Sequence, residues 1–171
     1  NLACVWCDTA YTWRFEGDNR PHRDAAAFDR KANQVVLSEA EVAARIIALG
    51  QHRLVITGGE PLLQGAALAR LAALLPGMEI EIETNGTVAP HGALDPLVAQ
   101  YNVSPKLAHS GNPADLALLP ERLAAWVEDP RASGLKLHAD TSGFDVLRGT
   151  SGVECSSCHD PHGTPNTFFL R

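Results

Sequence analysis

The stretch Leu54-Val-Ile-Thr-Gly-Gly-Glu-Pro61 decides the fold, because a short apolar run passes directly into a glycine-rich turn. Aliphatic and β-branched residues bounded by glycine are typical of a buried strand. A helical pattern follows at residues 62–75 and is closed by Pro76-Gly77. This order of strand, turn and helix predicts one unit of a parallel α/β sheet.

The same alternation extends on both sides of this unit. Upstream, Ser38 begins a capping box before a helix that ends at Gly50. The expected apolar face of this helix consists of Val42, Ile46, Ile47 and Leu49. Downstream, the pattern predicts strands and helices in turn, at residues 80–83, 94–99, 101–103 and 120–127. The polar loops after residues 57, 83 and 103 should share one rim, because the carboxyl ends of parallel strands lie at the same edge.

Two segments lack this alternation. Residues 11–33 are polar with clustered charges, and we expect them to form a long surface loop. Residues 134–171 are rich in Gly, Ser, Thr, Pro and His, with one strand-like segment at residues 135–137. The sequence therefore predicts a core domain of residues 1–133 and an unrelated, loop-like tail of residues 134–171.

The composition excludes several classes of protein. The chain has 171 residues, 45% of them hydrophobic, and a net charge of −6, as in ordinary globular proteins. The acidic balance argues against broad binding to nucleic acid. No apolar run approaches membrane-spanning length, so no membrane partner is expected, and no signal peptide is recognised.

The four cysteines form two C-x-x-C pairs at opposite ends of the chain, Cys4 with Cys7 and Cys155 with Cys158. This spacing suits one metal ion, one iron–sulfur cluster, one redox disulfide or one haem. A disulfide framework is not expected, since the sequence between the pairs contains no cysteine. The first pair alone also fits half of a structural zinc site or a thioredoxin-like redox pair.

Cys4-Val-Trp-Cys7-Asp-Thr9 resembles the end of the C-x-x-x-C-x-x-C cluster loop of radical S-adenosylmethionine enzymes. The resemblance implies that the first cysteine of this motif lies immediately before Asn1. Three thiolates then hold three irons of a 4Fe–4S cluster and leave the fourth iron open for S-adenosylmethionine. Gly58-Gly-Glu-Pro61 resembles the turn that contacts the methionine amino group, although alone it also fits an ordinary turn before a helix.

Two further stretches resemble the 7-carboxy-7-deazaguanine synthase family within these enzymes. Glu83-Thr-Asn-Gly-Thr87 resembles its strand-end loop, and Asn102-Val-Ser-Pro-Lys-Leu-Ala-His-Ser-Gly111 resembles its N-V-S-P-K segment. Taken singly, Asn-Gly also fits a simple turn, and Lys106 also fits a solvated surface cation. The resemblance implies an α/β fold, an incomplete partial (βα)6 barrel with an irregular C-terminal tail, lacking its first strand and its closing end.

The resemblance also implies a role for each matching residue. Cys4 and Cys7 would ligate the 4Fe–4S cluster, and Thr9 would contact Mg²⁺. S-adenosylmethionine would be bound by Gly58, Gly59, Glu60, Pro61, Asn85, Ser104 and Lys106. Substrate contacts would come from Thr84 and Thr87, and no catalytic residue is assigned.

The activity that the resemblance implies is a radical ring contraction. A 5′-deoxyadenosyl radical would remove a hydrogen from 6-carboxy-5,6,7,8-tetrahydropterin, and loss of ammonia would give 7-carboxy-7-deazaguanine, a precursor of queuosine. The implied partners are the pterin, a flavodoxin- or ferredoxin-like reductant and a second copy of the chain in a homodimer. With only two cluster cysteines, the chain as written is expected to be an inactive fragment.

The tail motif Cys155-Ser-Ser-Cys158-His159 resembles a c-type haem attachment site of multihaem cytochromes c. An electron-transfer protein with haem c is therefore the alternative function, against a metal site or a chance match at the motif. A non-catalytic α/β binding module is a third class. Haem attachment belongs to export compartments and an oxygen-sensitive cluster to the cytoplasm, so we expect a rearrangement to have joined the tail to the core.

Overall fold

A computed structural model describes residues 2–7, 9–23 and 27–133 of the chain. The haem-like motif and the strand-like segment at residues 135–137 lie outside the described residues. The boundary between a core of residues 1–133 and a tail of residues 134–171 therefore stays a prediction.

A parallel sheet in the order β1-β2-β3-β4 organises the described residues. Its strands are Arg53–Ile56 (β1), Glu79–Thr84 (β2), Gln100–Val103 (β3) and the two-residue strand Ala132–Ser133 (β4). All three neighbouring pairs run parallel. The α/β class is confirmed, and the three predicted strands are found. Closure of the sheet into a partial barrel stays a prediction.

Helices and turns connect the strands. The α-helices are Arg30–Asn33 (α1), Glu39–Ala48 (α2), Gly65–Ala73 (α3), Ala114–Ala117 (α4) and Pro120–Glu128 (α5). Single 3₁₀ turns lie at Ala10–Thr12, Pro61–Gln64, Asp95–Leu97 and Ala108–Ser110. The predicted capping box is confirmed, because the Ser38 side chain accepts from Glu41 N–H and the Glu41 carboxylate accepts from Ser38 N–H.

The two faces of the sheet differ in polarity, since side chains alternate along each strand. One face carries six buried side chains, those of Ile56, Ile80, Ile82, Thr84, Tyr101 and Val103. Trp126 of α5 packs on Tyr101 with ring centroids 5.0 Å apart. On the other face, the buried carboxylate of Glu81 accepts hydrogen bonds from Arg53 and Asn102. Glu81 therefore has a structural role within the sheet.

The expected apolar face of α2 is partly wrong. Ile47 is 59% exposed and Leu49 is 36% exposed, whereas Ala43 and Ile46 are the buried residues of this helix. The contacts of α2 are made mainly with α3, so only a narrow stripe is covered. Among the residues of β1, only Ile56 is buried, so this strand is less buried than its apolar run predicts.

Two other segments also differ from expectation. Residues 11–33 are not one surface loop, because Phe15 is buried and forms an isolated parallel bridge with Phe28. The helix expected at residues 94–99 is only the 3₁₀ turn Asp95–Leu97. The turn goes no further because Val98 already has extended backbone angles.

Among the described residues, no helix combines the length and the apolar character needed to cross a membrane.

The indole of Trp126 ties α5 to the loop after β2. Its Nε1–H donates to the carbonyl oxygen of Gly86 at 3.0 Å, and the residue is 3% exposed. Replacing Trp126→Phe keeps an aromatic ring on Tyr101 but leaves that buried carbonyl without its donor. We expect the free energy of unfolding, measured by urea denaturation, to fall by about 1–3 kcal/mol. The neighbouring Val127→Ala, at an exposed position, should change it by less than about 0.5 kcal/mol; equal losses would contradict this account.

Candidate cluster and cofactor site

The first cysteine pair lies on a tight turn. Cys7 N–H donates to the Cys4 carbonyl oxygen at 3.2 Å, and both thiols are free of disulfide bonds. Cys4 is buried and Cys7 is half-buried. Burial raises the pKa of the Cys4 thiol above its ordinary value, while the Lys106 cation and hydrogen bonds from Asn112 and Ser110 act in the opposite direction. A metal that binds here would have to displace the proton of Cys4.

The cysteine turn rests on the segment that follows β3. Val5 N–H donates to the Ser110 carbonyl oxygen at 2.9 Å, and Trp6 Nε1–H donates to the His109 carbonyl oxygen at 3.2 Å. The Trp6 and His109 rings are stacked with centroids 5.8 Å apart. Sequence reasoning included this segment in the resemblance but gave none of its residues a role. The signal in the sequence is the glycine at position 111, and in the structure its φ is +77°.

Glu60 joins the loop after β1 to the loop after β2. Its carboxylate accepts from Thr84 Oγ1 at 2.9 and 3.0 Å, from Asn85 N–H at 2.9 Å and from Leu62 N–H at 3.1 Å. Burial raises the pKa of the Glu60 carboxyl, against these hydrogen bonds, which lower it. The resemblance assigns the Glu60 carboxylate to the methionine ammonium group. In the structure this carboxylate also links the loop after β1 to the loop after β2 by hydrogen bonds.

The loop after β3 joins the same group. Ser104 N–H donates to the Thr84 carbonyl oxygen at 2.8 Å, and Lys106 Nζ donates to Ser104 Oγ at 3.2 Å. Lys106 also interacts electrostatically with Cys4. Hydrogen bonds therefore link Lys106 through Ser104 and Thr84 to Glu60, and an electrostatic interaction extends this series from Lys106 to Cys4. The three strand-end loops meet at one rim, as the sequence predicts, and the cysteine turn lies against the segment that follows the third of them.

The remaining predicted ligand residues occupy distinct environments. Asn85 Oδ1 accepts from the Thr87 backbone N–H at 3.0 Å and from the Thr87 hydroxyl at 2.6 Å, which shapes the turn after β2. Thr84 is buried and Thr87 is half-buried. Thr9 Oγ1 lies 3.4 Å from Cys7 Sγ. The predicted contacts of Thr84 and Thr87 with substrate, and of Thr9 with Mg²⁺, stay predictions.

The glycine turn leaves space beside the rim. Gly58 and Gly59 are exposed, whereas Glu60 and Pro61 are buried. A Cβ built at Gly59 would meet no atom within 4 Å. The protein itself therefore does not require glycine at this position, and a ligand could approach the backbone closely there.

The donor atoms at the rim suit an iron–sulfur cluster only in part. Cys4 and Cys7 supply two soft thiolate ligands on one turn, the ligand type that holds such clusters. Among the described residues, no group of three His, Cys, Asp or Glu side chains could hold a metal ion. The described part of the chain thus provides two of the three thiolates that the resemblance requires.

Several curated proteins named 7-carboxy-7-deazaguanine synthase are similar to this chain. The protein from Pyrobaculum aerophilum is 34% identical over 113 residues, 64% of this chain and 44% of that protein. The protein from Hyperthermus butylicus is 33% identical over 137 residues, 78% of this chain and 49% of that protein. The protein from Bradyrhizobium diazoefficiens is 36% identical over 96 residues, 56% of this chain and 41% of that protein. The chain spans about half the length of the curated relatives it matches.

The end of the chain matches something different. The family model described as "Doubled CXXCH motif" matches residues 149–171, which include Cys155, Cys158 and His159. The resemblances inferred from the two cysteine pairs are thereby both confirmed. Most of this chain is similar to 7-carboxy-7-deazaguanine synthases, and its last residues are similar to the doubled CXXCH motif.

Proposed function

We propose that the protein is a radical S-adenosylmethionine enzyme, a 7-carboxy-7-deazaguanine synthase acting as a carbon–nitrogen lyase. It converts 6-carboxy-5,6,7,8-tetrahydropterin to 7-carboxy-7-deazaguanine with release of ammonia. The names of the similar proteins support the enzyme class. The substrate, the product and the cytoplasmic location are parts of the proposal.

The observation that carries this proposal is the series of interactions from Cys4 to Glu60, electrostatic between Cys4 and Lys106 and hydrogen-bonded from Lys106 onward. Four motifs that are far apart in the sequence converge on this rim: the cysteine turn, the glycine turn, the loop after β2 and the N-V-S-P-K segment. A zinc site or a redox pair would need only the cysteine turn. Convergence of all four favours a site that holds a cluster and a large polar cofactor side by side.

Each element of the rim has a distinct task in this proposal. Cys4 and Cys7, with a third cysteine immediately before Asn1, hold the cluster, which supplies the electron that cleaves S-adenosylmethionine. Lys106 offers its cation to the methionine carboxylate, and the open backbone at Gly59 accommodates the amino group, with Glu60 supplying negative charge nearby. Thr9 contacts Mg²⁺ beside the substrate. A flavodoxin- or ferredoxin-like protein delivers the electron, and two copies of the chain form a homodimer.

Anaerobic reconstitution tests the proposal. The codon before Asn1 is read first, and the chain is expressed with its native upstream residues. We expect four irons and four sulfides per chain, 5′-deoxyadenosine in the presence of dithionite, and 7-carboxy-7-deazaguanine by mass spectrometry when the pterin is added. A reconstituted cluster that forms no 5′-deoxyadenosine would refute the enzyme class, and 5′-deoxyadenosine without the deazaguanine would refute the substrate.

A second candidate function rests on the match to the doubled CXXCH motif at residues 149–171. We propose electron transfer through haem c, attached at Cys155 and Cys158 with His159 as an axial ligand. Co-expression in the periplasm with a haem-attachment system should then give a protein that retains haem after denaturation. The Cys155→Ser variant should not retain haem after denaturation. Retention of haem by this variant would count against covalent attachment at the motif.

A further inference from the structure

The cysteine turn and the segment after β3 approach so closely that no side chain fits between them. A Cβ at Gly111 would lie 2.4 Å from Val5 Cγ1, far inside van der Waals contact. The φ of +77° at Gly111 also lies in the left-handed region that favours glycine. The turn that carries Cys4 is therefore docked against residues 109–112 rather than placed near them by chance.

Asn112 makes the most specific contacts across this junction. Its Oδ1 accepts from Ala3 N–H at 2.9 Å, and its Nδ2 lies 3.6 Å from Cys4 Sγ and 3.1 Å from Ser110 Oγ. The orientation of the amide follows from chemistry, because a backbone N–H can only donate and so requires Oδ1 to face Ala3. The amide nitrogen is then directed towards the cysteine sulfur. One side chain thus holds both the backbone before Cys4 and the sulfur of Cys4.

We infer that Asn112 is a positioning residue for Cys4, which fixes the turn through Ala3 and donates an N–H···S hydrogen bond to the cysteine sulfur. The second part rests on the proposed function, in which that sulfur ligates iron. An added electron increases the negative charge on the cluster sulfurs, and a hydrogen-bond donor stabilises that charge. Asn112 therefore makes the cluster easier to reduce.

Two measurements on Asn112→Leu test the two parts separately. Leucine has a similar size but neither donates nor accepts. In the chain without cluster, hydrogen exchange followed by NMR should show Ala3 N–H exchanging at least tenfold faster, while Val5 N–H, bonded to Ser110, stays protected. In the reconstituted protein, a dithionite titration followed by EPR should show the midpoint potential moving to a more negative value. Unchanged Ala3 exchange would overturn the positioning role, and an unchanged midpoint would overturn the N–H···S contribution.

The matched control is Asn33→Leu. Asn33 is another asparagine whose side-chain amide bonds to the backbone, since its Nδ2 donates to the Asp29 carbonyl oxygen at 2.7 Å, but it lies on α1. The Asn33→Leu substitution should leave both the exchange of Ala3 N–H and the midpoint potential as they are in the unmodified protein. If the unmodified protein shows no 4Fe–4S signal, the proposed function fails, and the N–H···S contribution to a cluster fails with it. The exchange at Ala3 still decides the positioning role of Asn112.

Discussion

Replacing Cys4→Ala in the reconstituted protein is expected to reduce 5′-deoxyadenosine formation to background. Cys4 is buried beside Lys106 and is fixed by Asn112 and Ser110, so alanine there removes a thiol held at a defined position. A cluster that loses one of three protein ligands is not held with one open iron. Iron and sulfide content per chain and 5′-deoxyadenosine, measured on the same samples, check this result.

The chain offers a matched control for this substitution in its second cysteine pair. Cys155→Ala removes a thiol from the same kind of C-x-x-C motif, in the tail. The proposed function predicts an unchanged cluster and unchanged cofactor cleavage for this variant. Equal losses from Cys4→Ala and Cys155→Ala would mean that both pairs serve one metal site, which contradicts the separation of core and tail.

Glu60→Gln is expected to lower the free energy of unfolding by about 1–3 kcal/mol, because an amide cannot replace the carboxylate as an acceptor at both oxygens. One oxygen accepts from Leu62 N–H and the other from Asn85 N–H. An amide nitrogen at either position would face a donor and leave it unpaired. Glu79→Gln, at an exposed position on β2, serves as the control and should change the stability by less than about 0.5 kcal/mol. Urea denaturation of both variants measures these changes. An unchanged free energy of unfolding for Glu60→Gln would show that the bridge between the loops does not stabilise the protein.

The difference in the free energy of unfolding between the unmodified protein and Glu60→Gln should change with pH in a definite direction. Because burial raises the pKa of Glu60 in the folded protein, the native state holds its proton to higher pH than the unfolded chain does. Stability from this group is therefore present below its unfolded pKa and is lost as the pH rises through its folded pKa. The stability gap between the unmodified protein and Glu60→Gln should narrow as the pH is raised from about 4 to about 7. A gap that widens over this range would contradict the raised pKa.

Local sequence signals predict the framework of this protein well. The capping box at Ser38 and the proline at the first turn of α5 act through neighbouring backbone groups, so they can be read from a few consecutive residues. The strands at β2 and β3 follow, for the same reason, from short stretches in which polar and apolar residues alternate. Asn85-Gly86 also fits a turn from its sequence alone, and Gly86 has a φ of +81°.

What the sequence could not predict depends on distant contacts. The exposure of Ile47 follows from how little of α2 is covered, which is a tertiary property. The isolated bridge between Phe15 and Phe28 joins two positions in a segment that reads as polar. The Glu60 bridge and the docking of Asn112 on Cys4 link residues 25 and 108 positions apart, respectively. The motifs predict which residues gather at the rim, whereas only the structure shows which of them hold the others in place.

The most direct test of the cluster beside the glycine turn is the EPR spectrum of the reduced, reconstituted protein before and after addition of S-adenosylmethionine. A cluster with one open iron near Glu60 and Lys106 should give a 4Fe–4S signal whose g values change when the cofactor binds. A spectrum without a 4Fe–4S signal, or one that S-adenosylmethionine leaves unchanged, would contradict the account.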